Sequence, residues 1–373
     1  MTFPLGQESK PTESGVNPVL SLLRTPHLDA AEIELTMACP CRCINCGSDC
    51  GPAVDNELST DELLAVLSDL KDLGCRRVSF LGGEPLVHRD LMQLIEVARS
   101  HGMLVEIVTS GMGLDSKCAK QLKDAGANSV SVSIDGLQPS HDAQRGVARA
   151  YERAIEALAA LRTAHIAAGV ITQVNRMSLP ELEALGNELL EAGALGWQLQ
   201  PTLPIGRAAG SPLILREEDM PEVLATLRRL ARRTKLRPII TDALGWWTTD
   251  DASLRSADGA MPRCWLGCFA GIRHVGITCR GDVKGCLILP TEFVEGNLRQ
   301  VPLRQMWEDP SRFAYNRQYR RESLSGPCAT CKSAELCRGG CTACSLIFHG
   351  KTGINTRCLA IIEEPPVSET CHD

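Results

Sequence analysis

The segment EIELTMACPCRCINC (32–46) joins two patterns: apolar and polar residues alternate over 32–37, and four cysteines follow within 39–46. The alternation predicts a β-strand. Cys39, Cys43 and Cys46 have the spacing Cys-x3-Cys-x2-Cys, which lets three thiolates on one tight loop reach three corners of a cubane cluster. A [4Fe–4S] cluster normally takes four cysteines, so three leave one iron open to a small molecule. The alternative is a zinc site, which would prefer two Cys-x2-Cys pairs and a closed shell.

The composition limits the class of protein. Of the 373 residues, 44% are apolar and 23% are charged, which is typical of a globular protein with a sizeable core. The net charge of −6 gives no electrostatic reason to expect a nucleic acid or an anionic membrane as partner. Neither a signal peptide nor a run of about 20 apolar residues is present, so we expect a cytoplasmic protein. The 18 cysteines fall in two groups around a long cysteine-poor body, which favours metal binding over disulfides.

Outward from 32–46, strand patterns alternate with helix patterns. The strand patterns lie at 32–37, 76–81, 103–110, 129–134, 170–174 and 197–200, and the helix patterns at 59–74, 91–102, 115–125, 148–168, 180–192 and 217–234. Six strand-then-helix units imply a parallel sheet with right-handed crossovers. We therefore predict an α/β fold, a partial (β/α)6 barrel, with ligands at the carboxyl ends of its strands.

The rest of the chain divides around this barrel. We predict an N-terminal extension over 1–31, the barrel over 32–236, a linker over 237–263 and a small loop-rich domain over 264–373. The last segment holds 11 of the 18 cysteines. A region with so little regular apolar pattern needs an additional source of stability, which metal clusters would supply.

The cysteine motif after the first strand resembles the signature of the radical S-adenosylmethionine (SAM) superfamily. That resemblance implies that the open iron chelates the amino and carboxylate groups of SAM. It also implies that one electron from the cluster cleaves SAM to methionine and a 5′-deoxyadenosyl radical, which abstracts hydrogen. One position departs from the family pattern, because Asn45 stands where members often carry an aromatic residue near the adenine.

Three further segments resemble SAM-binding motifs of this family. In LGGEP (81–85), two glycines allow the backbone to approach a ligand closely, and Glu84 offers an acceptor to an ammonium group. SIDG (133–136) with HDAQRG (141–146) resembles a segment that places a serine and an arginine near the SAM carboxylate, and TSG (109–111) resembles a strand end near the ribose. The alternative is an ordinary turn and a surface ion pair. The resemblance assigns SAM contacts to Gly82, Gly83, Glu84, Pro85, Ser110, Ser133 and Arg145.

The C-terminal cysteines resemble the SPASM extension, which carries two auxiliary [4Fe–4S] clusters. Their pattern is Cys268-x12-Gly281-x4-Cys286, Cys328-x2-Cys331-x5-Cys337-x3-Cys341 and Cys358, and Cys264 supplies an eighth ligand. By this resemblance, one cluster takes Cys264, Cys268, Cys286 and Cys341, and the other takes Cys328, Cys331, Cys337 and Cys358. Structural zinc ribbons are the alternative. Cys279 and Cys344 lie among these ligands and are candidate hydrogen-atom donors if the enzyme is an epimerase.

The resemblance implies an enzyme, and the leading hypothesis is modification of a ribosomally made peptide by cross-linking, epimerisation or oxidation. The alternatives are oxidation or epimerisation of a small molecule such as a sugar or an aminoglycoside, sulfatase maturation, and a non-catalytic iron–sulfur electron carrier. An external electron donor is expected. Because only 38 residues precede Cys39, we expect leader-peptide recognition to come from a separate protein.

The ligand count predicts the iron content. Three [4Fe–4S] clusters give about 12 iron ions per chain. We expect colorimetric assays of anaerobically reconstituted protein to find about 12 iron and about 12 sulfide ions per chain. A fully reconstituted sample with only about four iron ions would contradict the two auxiliary clusters and leave the N-terminal cluster standing.

Overall fold

One sheet runs through the part of the chain that the computed structural model describes, which is residues 24–233, 236, 238–241 and 266–363. In chain order its strands are β1 (Ala30–Glu34), β2 (Arg77–Leu81), β3 (Leu104–Thr109), β4 (Ser129–Ser133), β5 (Ala167–Val174), β6 (Gly196–Pro201), β7 (Pro238–Ile240), β8 (His274–Ile277), β9 (Asp282–Lys284) and β10 (Gly296–Asn297). In space they follow the order β10-β9-β8-β1-β2-β3-β4-β5-β6-β7. In this spatial order, neighbouring strands pair in parallel from β8 through β1 to β7. Strand β9 pairs antiparallel with β8 and with β10.

Helices connect the barrel strands and cover their outer face. They are α1 (Thr60–Asp72), α2 (Leu91–Ser100), α3 (Ser116–Ala125), α4 (Gln138–Arg145), α5 (Ala150–Thr163), α6 (Leu182–Ala192) and α7 (Met220–Arg233). Short helices follow in the C-terminal segment: α8 (Leu303–Glu308), α9 (Ala314–Arg317), α10 (Ala334–Cys337), α11 (Thr342–His349) and α12 (Leu359–Glu363). Among the residues that the structure describes, every helix is too short or too polar to span a bilayer.

All six predicted barrel strands are present, and the α/β prediction is confirmed. Several details differ from the prediction. The helix predicted over 148–168 ends at Thr163, because His165 takes a left-handed φ of 55° and Ala167 already pairs in β5. The barrel also has one strand more than predicted: β7 lies in the segment 237–263, for which we predict a linker.

The barrel strands have an apolar outer face, and the inner face of β1 to β6 mixes polar side chains with apolar ones such as Val108 and Ile171. The outer side chains of β2 and β3 are fully buried against the helices, among them Phe80 and Ile107. Successive side chains of a strand point to opposite faces, so the alternate positions line the inner face. Its polar members on β1 to β6 are Glu32, Glu34, Arg77, Ser79, Glu106, Ser129, Ser131, Ser133, Gln173, Gln198 and Gln200.

Strand β8 joins the C-terminal segment to the barrel. It pairs in parallel with β1, where Glu32 lies opposite Gly276. Arg299 adds a second link, because its Nε and Nη2 donate to the two carboxylate oxygens of Glu62 on α1 at 2.6 and 2.9 Å. Hydrogen-bonded strands therefore bridge the predicted boundary between the barrel and the C-terminal domain.

Gly276 lies where β8 packs against the chain that follows β9. A Cβ at Gly276 would lie 2.7 Å from the backbone nitrogen of Leu287, whereas a Cβ at Gly196 on β6 would meet nothing within 4 Å. We expect Gly276→Ala to lower the free energy of unfolding by about 1–3 kcal/mol, the usual cost of overpacking. The matched Gly196→Ala substitution should change it by less than about 0.5 kcal/mol. Urea unfolding of reconstituted protein measures both, and equal effects would contradict the close packing at Gly276.

Candidate active site and metal centres

The N-terminal cysteines lie on a closed loop, residues 37–51, which we call the cysteine loop. The backbone nitrogen of Cys39 donates to Gly51 O at 2.7 Å, and that of Gly51 donates to Met37 O at 3.0 Å. The carboxylate of Glu57 fixes the start of the loop by accepting from Thr36 Oγ1 at 2.9 Å and from the Met37 nitrogen at 2.8 Å. The loop therefore follows the carboxyl end of β1 directly, where parallel barrels bind their ligands.

Five thiols are gathered on this loop. Cys39, Cys41 and Cys43 form a chain of thiol contacts, and Cys46 is paired with Cys50. A hydrogen bond from the Cys50 thiol lowers the pKa of Cys46, and the Cys50 backbone nitrogen lies 3.4 Å from Cys46 Sγ. Within the described ranges, no three Cys, His, Asp or Glu side chains converge as a complete metal site. The choice of ligands among the five thiols therefore remains a prediction from their spacing.

Arg207, in the loop after β6, holds the two halves of the cysteine loop together. Its Nε donates to Cys43 O at 2.8 Å, and its Nη1 donates to Cys50 O at 2.7 Å and to Asp49 Oδ1 at 2.6 Å. Its backbone nitrogen donates to Cys46 O at 3.0 Å. No sequence signal marks this residue, which lies 164 positions from Cys43 and belongs to no motif.

Gly82 and Gly83 bring the loop after β2 against the cysteine loop. The backbone nitrogen of Gly83 donates to Thr36 O at 2.7 Å, and that of Glu84 donates to Ala38 O at 2.8 Å. A Cβ at Gly83 would lie 2.3 Å from Ala38 O, and Gly82 has a φ of 133°. Both positions therefore require glycine. The close approach seen here is to the cysteine loop, and the approach to a ligand stays a prediction.

Glu84 is fully buried and ties the end of β2 to the end of β3. Its Oε1 accepts from Thr109 Oγ1 at 2.6 Å and from the Leu86 nitrogen at 3.2 Å. Its Oε2 accepts from the Ser110 nitrogen at 2.8 Å and from the Ser110 hydroxyl. Burial raises the pKa of Glu84, and the hydrogen bonds from Ser110 and Thr109 oppose that rise. The structure thus brings together the predicted site residues Glu84 and Ser110, and Pro85 begins the short turn that follows.

The segment after β4 holds a buried ion pair that lies beside the cysteine loop. Arg145, the last residue of α4, contacts Asp135 at 2.8 Å, and its Nη1 lies 3.7 Å from Cys43 Sγ. Burial opposes the charge of Arg145, but Asp135 and Cys43 outweigh this effect and the pKa of Arg145 rises. Ser133 is half-buried at the end of β4, on the inner face. Asp135 lies inside the SIDG motif, but only its serine was predicted to have a role.

Asn45, Gln144 and Asn175 extend this network. Asn45 Nδ2 donates to Asp135 Oδ2 at 3.0 Å and lies 3.5 Å from Gln144 Oε1. Asn175 Nδ2 donates to the same Gln144 oxygen at 2.6 Å. His141 Nδ1 accepts from the Asp135 nitrogen at 2.9 Å, and burial lowers the pKa of His141 to about 4. A buried hydrogen-bonded amide therefore occupies the position where family members often have an aromatic residue.

Three cysteines of the first predicted auxiliary set lie close to one another. Cys268, Cys286 and Cys341 pack against a small apolar cluster that contains Leu289. Burial raises the pKa of Cys286, and the neighbouring Cys341 and Cys268 add to that rise. The fourth predicted ligand, Cys264, lies outside the described residues.

The second predicted auxiliary set is also partly assembled. Burial is the largest cause of the raised pKa of Cys358. The nearby thiols of Cys328 and Cys331 raise this pKa further. The Cys331 nitrogen donates to Cys328 O at 3.4 Å. Cys337 is buried at the end of α10, near Arg24. The ligand roles in both sets stay predictions.

The two predicted hydrogen-atom donors lie in different parts of the molecule. Cys279 is buried in the turn between β8 and β9, and its backbone nitrogen lies 3.4 Å from Glu34 Oε2 at the carboxyl end of β1. Burial, followed by the charge of Glu34, raises the pKa of Cys279 to about 12. Cys344 is buried on α11, near Arg357. Cys279 therefore lies at the carboxyl end of the barrel, as the cysteine loop does.

Comparison with known proteins agrees with this geometry. The family model of the radical SAM superfamily matches residues 33–184, and that of the SPASM iron–sulfur cluster-binding domain matches residues 268–332. Together they match more than half of the chain. An AdoMet-dependent heme synthase from Nitratidesulfovibrio vulgaris is 29% identical over 83% of this chain and 86% of its own length.

Two further proteins are similar over most of the chain. The mycofactocin maturase MftC of Mycobacterium tuberculosis is 27% identical over 91% of this chain and 85% of its own. The crystal structure of Streptococcus suis SuiB bound to its precursor peptide SuiA has a TM-score of 0.71 at 17% identity, covering 91% of this chain and 78% of SuiB, which shows a shared fold. The chain is therefore an enzyme of the radical SAM superfamily with a SPASM domain, and its cofactors are SAM and [4Fe–4S] clusters.

Proposed function

We propose that this enzyme holds its SAM-binding cluster on Cys39, Cys43 and Cys46 and modifies a ribosomally made peptide by cross-linking, epimerisation or oxidation. When an external donor has reduced the cluster, bound SAM supplies a 5′-deoxyadenosyl radical that abstracts hydrogen from the substrate. The side chains around the cysteine loop bind and orient the cofactor. Those of the inner barrel face receive the substrate.

The residues around the cysteine loop fit such a cofactor in charge and in hydrogen-bonding capacity. Hydrogen bonds to cluster sulfurs are a means by which proteins tune such clusters, and Arg145 Nη1 lies 3.7 Å from Cys43 Sγ. In the described part of the chain, Asn45 Oδ1, Arg145 Nε and His141 Nε2 are buried without hydrogen-bond partners. Burial without a partner is costly, and these are three of the twelve such atoms in the described residues. Their occurrence in one network that reaches Cys43 supports a polar ligand here.

Glu84 is proposed to hold the ammonium group of SAM, with Ser110 beside it. A carboxylate offers about four acceptor sites, and four donors already occupy Glu84. Two of these donors are backbone nitrogens and the third is the buried hydroxyl of Thr109, so these three are held in place. We therefore expect the ammonium group to replace the Ser110 hydroxyl, which can rotate away. The remaining proposed SAM contacts are Gly82, Gly83, Pro85, Ser133 and Arg145.

We propose two closed auxiliary clusters in the C-terminal segment. One is assigned to Cys264, Cys268, Cys286 and Cys341, and the other to Cys328, Cys331, Cys337 and Cys358. Four cysteines per cluster leave no iron open to substrate, which favours electron transfer as their role. Of the two candidate hydrogen-atom donors, Cys279 has the better support, because it lies beside Glu34 at the carboxyl end of β1.

The inner barrel face is the observation that carries the choice of a peptide. Along β1 to β6, all of which the structure describes, the inward positions include three glutamates, four serines and three glutamines, beside apolar residues and glycines. The one arginine or lysine among them, Arg77, is exposed at the amino-terminal rim. A peptide backbone offers both donors and acceptors, which amide, hydroxyl and carboxylate side chains can bind.

A porphyrin is the second candidate substrate, because the heme synthase from Nitratidesulfovibrio vulgaris is a relative. A porphyrin with several carboxylates needs arginine or lysine partners. Here Glu106 lies across the inner face instead, accepting from Ser79 Oγ at 3.3 Å and from Ser131 Oγ at 2.9 Å. That charge favours a peptide over a porphyrin, while a cationic aminoglycoside would also suit it.

Deuterium transfer distinguishes the three substrate classes. Short peptides encoded beside the gene are made with deuterated amino acids and offered, with SAM and a reductant, to the reconstituted enzyme. Iron coproporphyrin III and neomycin are offered separately. We expect one peptide to change in mass and to transfer deuterium to 5′-deoxyadenosine, as mass spectrometry would detect.

Two results would contradict these proposals separately. Modification of the porphyrin or of neomycin, with no deuterium transferred from any peptide, would overturn the peptide assignment alone. No 5′-deoxyadenosine in any reaction would overturn the proposed radical chemistry itself. A Cys43→Ala variant is the control, because we expect it to form no product.

Cys43 and Cys41 form a matched pair that tests the ligand assignment, since both are buried on the same loop. We expect Cys43→Ala to contain about four fewer iron ions per chain than the parent enzyme. Cys41→Ala should keep the full iron content and a rate of 5′-deoxyadenosine formation within about twofold of the parent. Iron assays and the electron paramagnetic resonance (EPR) spectrum of the reduced proteins measure the difference. Loss of the cluster from Cys41→Ala alone would show the assignment to be wrong.

A further inference from the structure

Tyr315, on the short helix α9, has a hydroxyl that is buried without a hydrogen-bond partner among the described residues. Its ring packs edge-on against that of Phe293, with the ring centroids 5.2 Å apart. The neighbouring carboxylate of Glu295 accepts from the Phe313 nitrogen at 2.8 Å and not from this hydroxyl. A buried tyrosine usually gives its hydroxyl a partner, so this one calls for an acceptor outside the described residues.

The Tyr315 hydroxyl lies beside the cysteines of the first predicted auxiliary set. Its ring packs against the same small apolar cluster as Cys268, Cys286 and Cys341. A Cβ at Gly285, the residue before Cys286, would overlap with the Tyr315 oxygen. The hydroxyl therefore touches the chain next to one of the proposed ligands.

The neighbours of Tyr315 in the chain fix its position relative to Cys268. Phe313 is fully buried on one side of it. On the other side, Asn316 Nδ2 donates to Cys268 O at 2.8 Å and to Ala270 O at 2.9 Å. These contacts hold α9 against the segment that begins at Cys268, so the fold itself places the tyrosine beside the cysteines.

We infer that the Tyr315 hydroxyl donates a hydrogen bond to a sulfur of the auxiliary cluster proposed on Cys264, Cys268, Cys286 and Cys341. In the described part of the chain, the other side chains of the apolar cluster belong to Ala, Leu, Ile and Phe, so the sulfurs are its only side-chain acceptors. A phenol is a donor at neutral pH, and burial raises the pKa of Tyr315 further. The inference rests on the proposed ligand set and is independent of the substrate class.

Such a hydrogen bond would make the auxiliary cluster easier to reduce. A reduced cluster carries one more negative charge than an oxidised one, so its sulfurs accept hydrogen bonds more strongly. A donor therefore stabilises the reduced form more than the oxidised form and raises the reduction potential. An oxidised substrate gives up one electron after the hydrogen atom has been abstracted, and a cluster of raised potential accepts that electron more readily. Tyr315 is thus a positioning residue that acts through the cluster.

A purely structural role does not explain the hydroxyl of Tyr315. Phenylalanine would fill nearly the same space, as Phe293 does in the same apolar cluster, and would leave no buried donor without a partner. The substitution Tyr315→Phe therefore removes the proposed hydrogen bond and keeps the packing of the ring.

The reduction potential of the auxiliary cluster tests the inference without any measurement of turnover. The anaerobically reconstituted parent enzyme and Tyr315→Phe are poised at a series of potentials, and their EPR spectra are recorded. The signal that a Cys286→Ala variant lacks identifies the cluster. At a fixed potential, we expect Tyr315→Phe to lower the ratio of reduced to oxidised cluster about tenfold, which corresponds to about 59 mV for a one-electron couple. If Cys286→Ala fails to fold, the comparison still holds, because only one of the three cluster potentials should move.

Tyr319→Phe is the matched control. Tyr319 lies four residues further along the chain, where the guanidinium carbon of Arg338 is 4.4 Å from the centroid of its ring. We expect this variant to leave the same ratio within about twofold of the parent enzyme. Electron nuclear double resonance after exchange into D2O gives a second readout. One deuteron coupled to the cluster in the parent enzyme and in Tyr319→Phe should be absent from Tyr315→Phe.

The results that bear against the proposals can be told apart. An unchanged potential in Tyr315→Phe, or an equal shift in Tyr319→Phe, would overturn the inference. Loss of about four iron ions per chain from Tyr315→Phe would also overturn it, because the phenol would then be a ligand of the cluster. A Cys286→Ala variant that folds and keeps every iron ion and every EPR signal would instead contradict the proposed ligand set.

Discussion

The buried ion pair between Arg145 and Asp135 fixes the end of α4, and this end of the helix binds the cysteine loop. This loop has almost no regular secondary structure, so its backbone groups need partners elsewhere. The last carbonyls of a helix lack partners within the helix, and here those of α4 accept from the loop: Gln144 O from the Ile44 nitrogen at 2.9 Å, and Arg145 O from the Arg42 nitrogen at 3.1 Å. Removing either charge would leave the other buried and unpaired, which costs about 3–5 kcal/mol in proteins generally.

The two faces of the barrel sheet have different roles, because one face forms the apolar core and the other lines the proposed site. The outer face of the sheet is an apolar core against the helices, and even its polar members are satisfied there, as when Trp197 Nε1 donates to Thr172 Oγ1 at 2.9 Å. The inner face contributes little to that core, so its side chains are free to serve a ligand. A barrel built this way can keep its strands fixed while the inner residues differ between enzymes with different substrates. This explains why relatives named as a heme synthase and as a maturase can share one fold.

Local patterns made part of this structure predictable. Alternation of apolar and polar residues located the six barrel strands, and the spacing of Cys39, Cys43 and Cys46 predicts a cluster site at the end of β1. The contacts that hold the site are not local. Arg207 reaches Cys43 across 164 positions, and Asp135 reaches Asn45 across 90, with no periodicity to mark either partner. The pairing of strand β8 with β1 escaped prediction for the same reason, because it depends on residues from opposite ends of the chain.

That pairing also sets the distance between the proposed metal centres. Strand β8 runs parallel to β1, so the turn with Cys279 lies at the end of β1 that carries the cysteine loop. Strand β9 runs back, which returns the chain to Cys286 at the opposite end of β8. Four residues of extended chain separate the two ends by about 13 Å. A cluster on Cys286 would therefore lie about one strand length from the cysteine loop, with the inner barrel face beside the path between them. The sheet itself would hold such a cluster near the proposed reaction site, which would give a physical reason for the C-terminal segment to pair with β1.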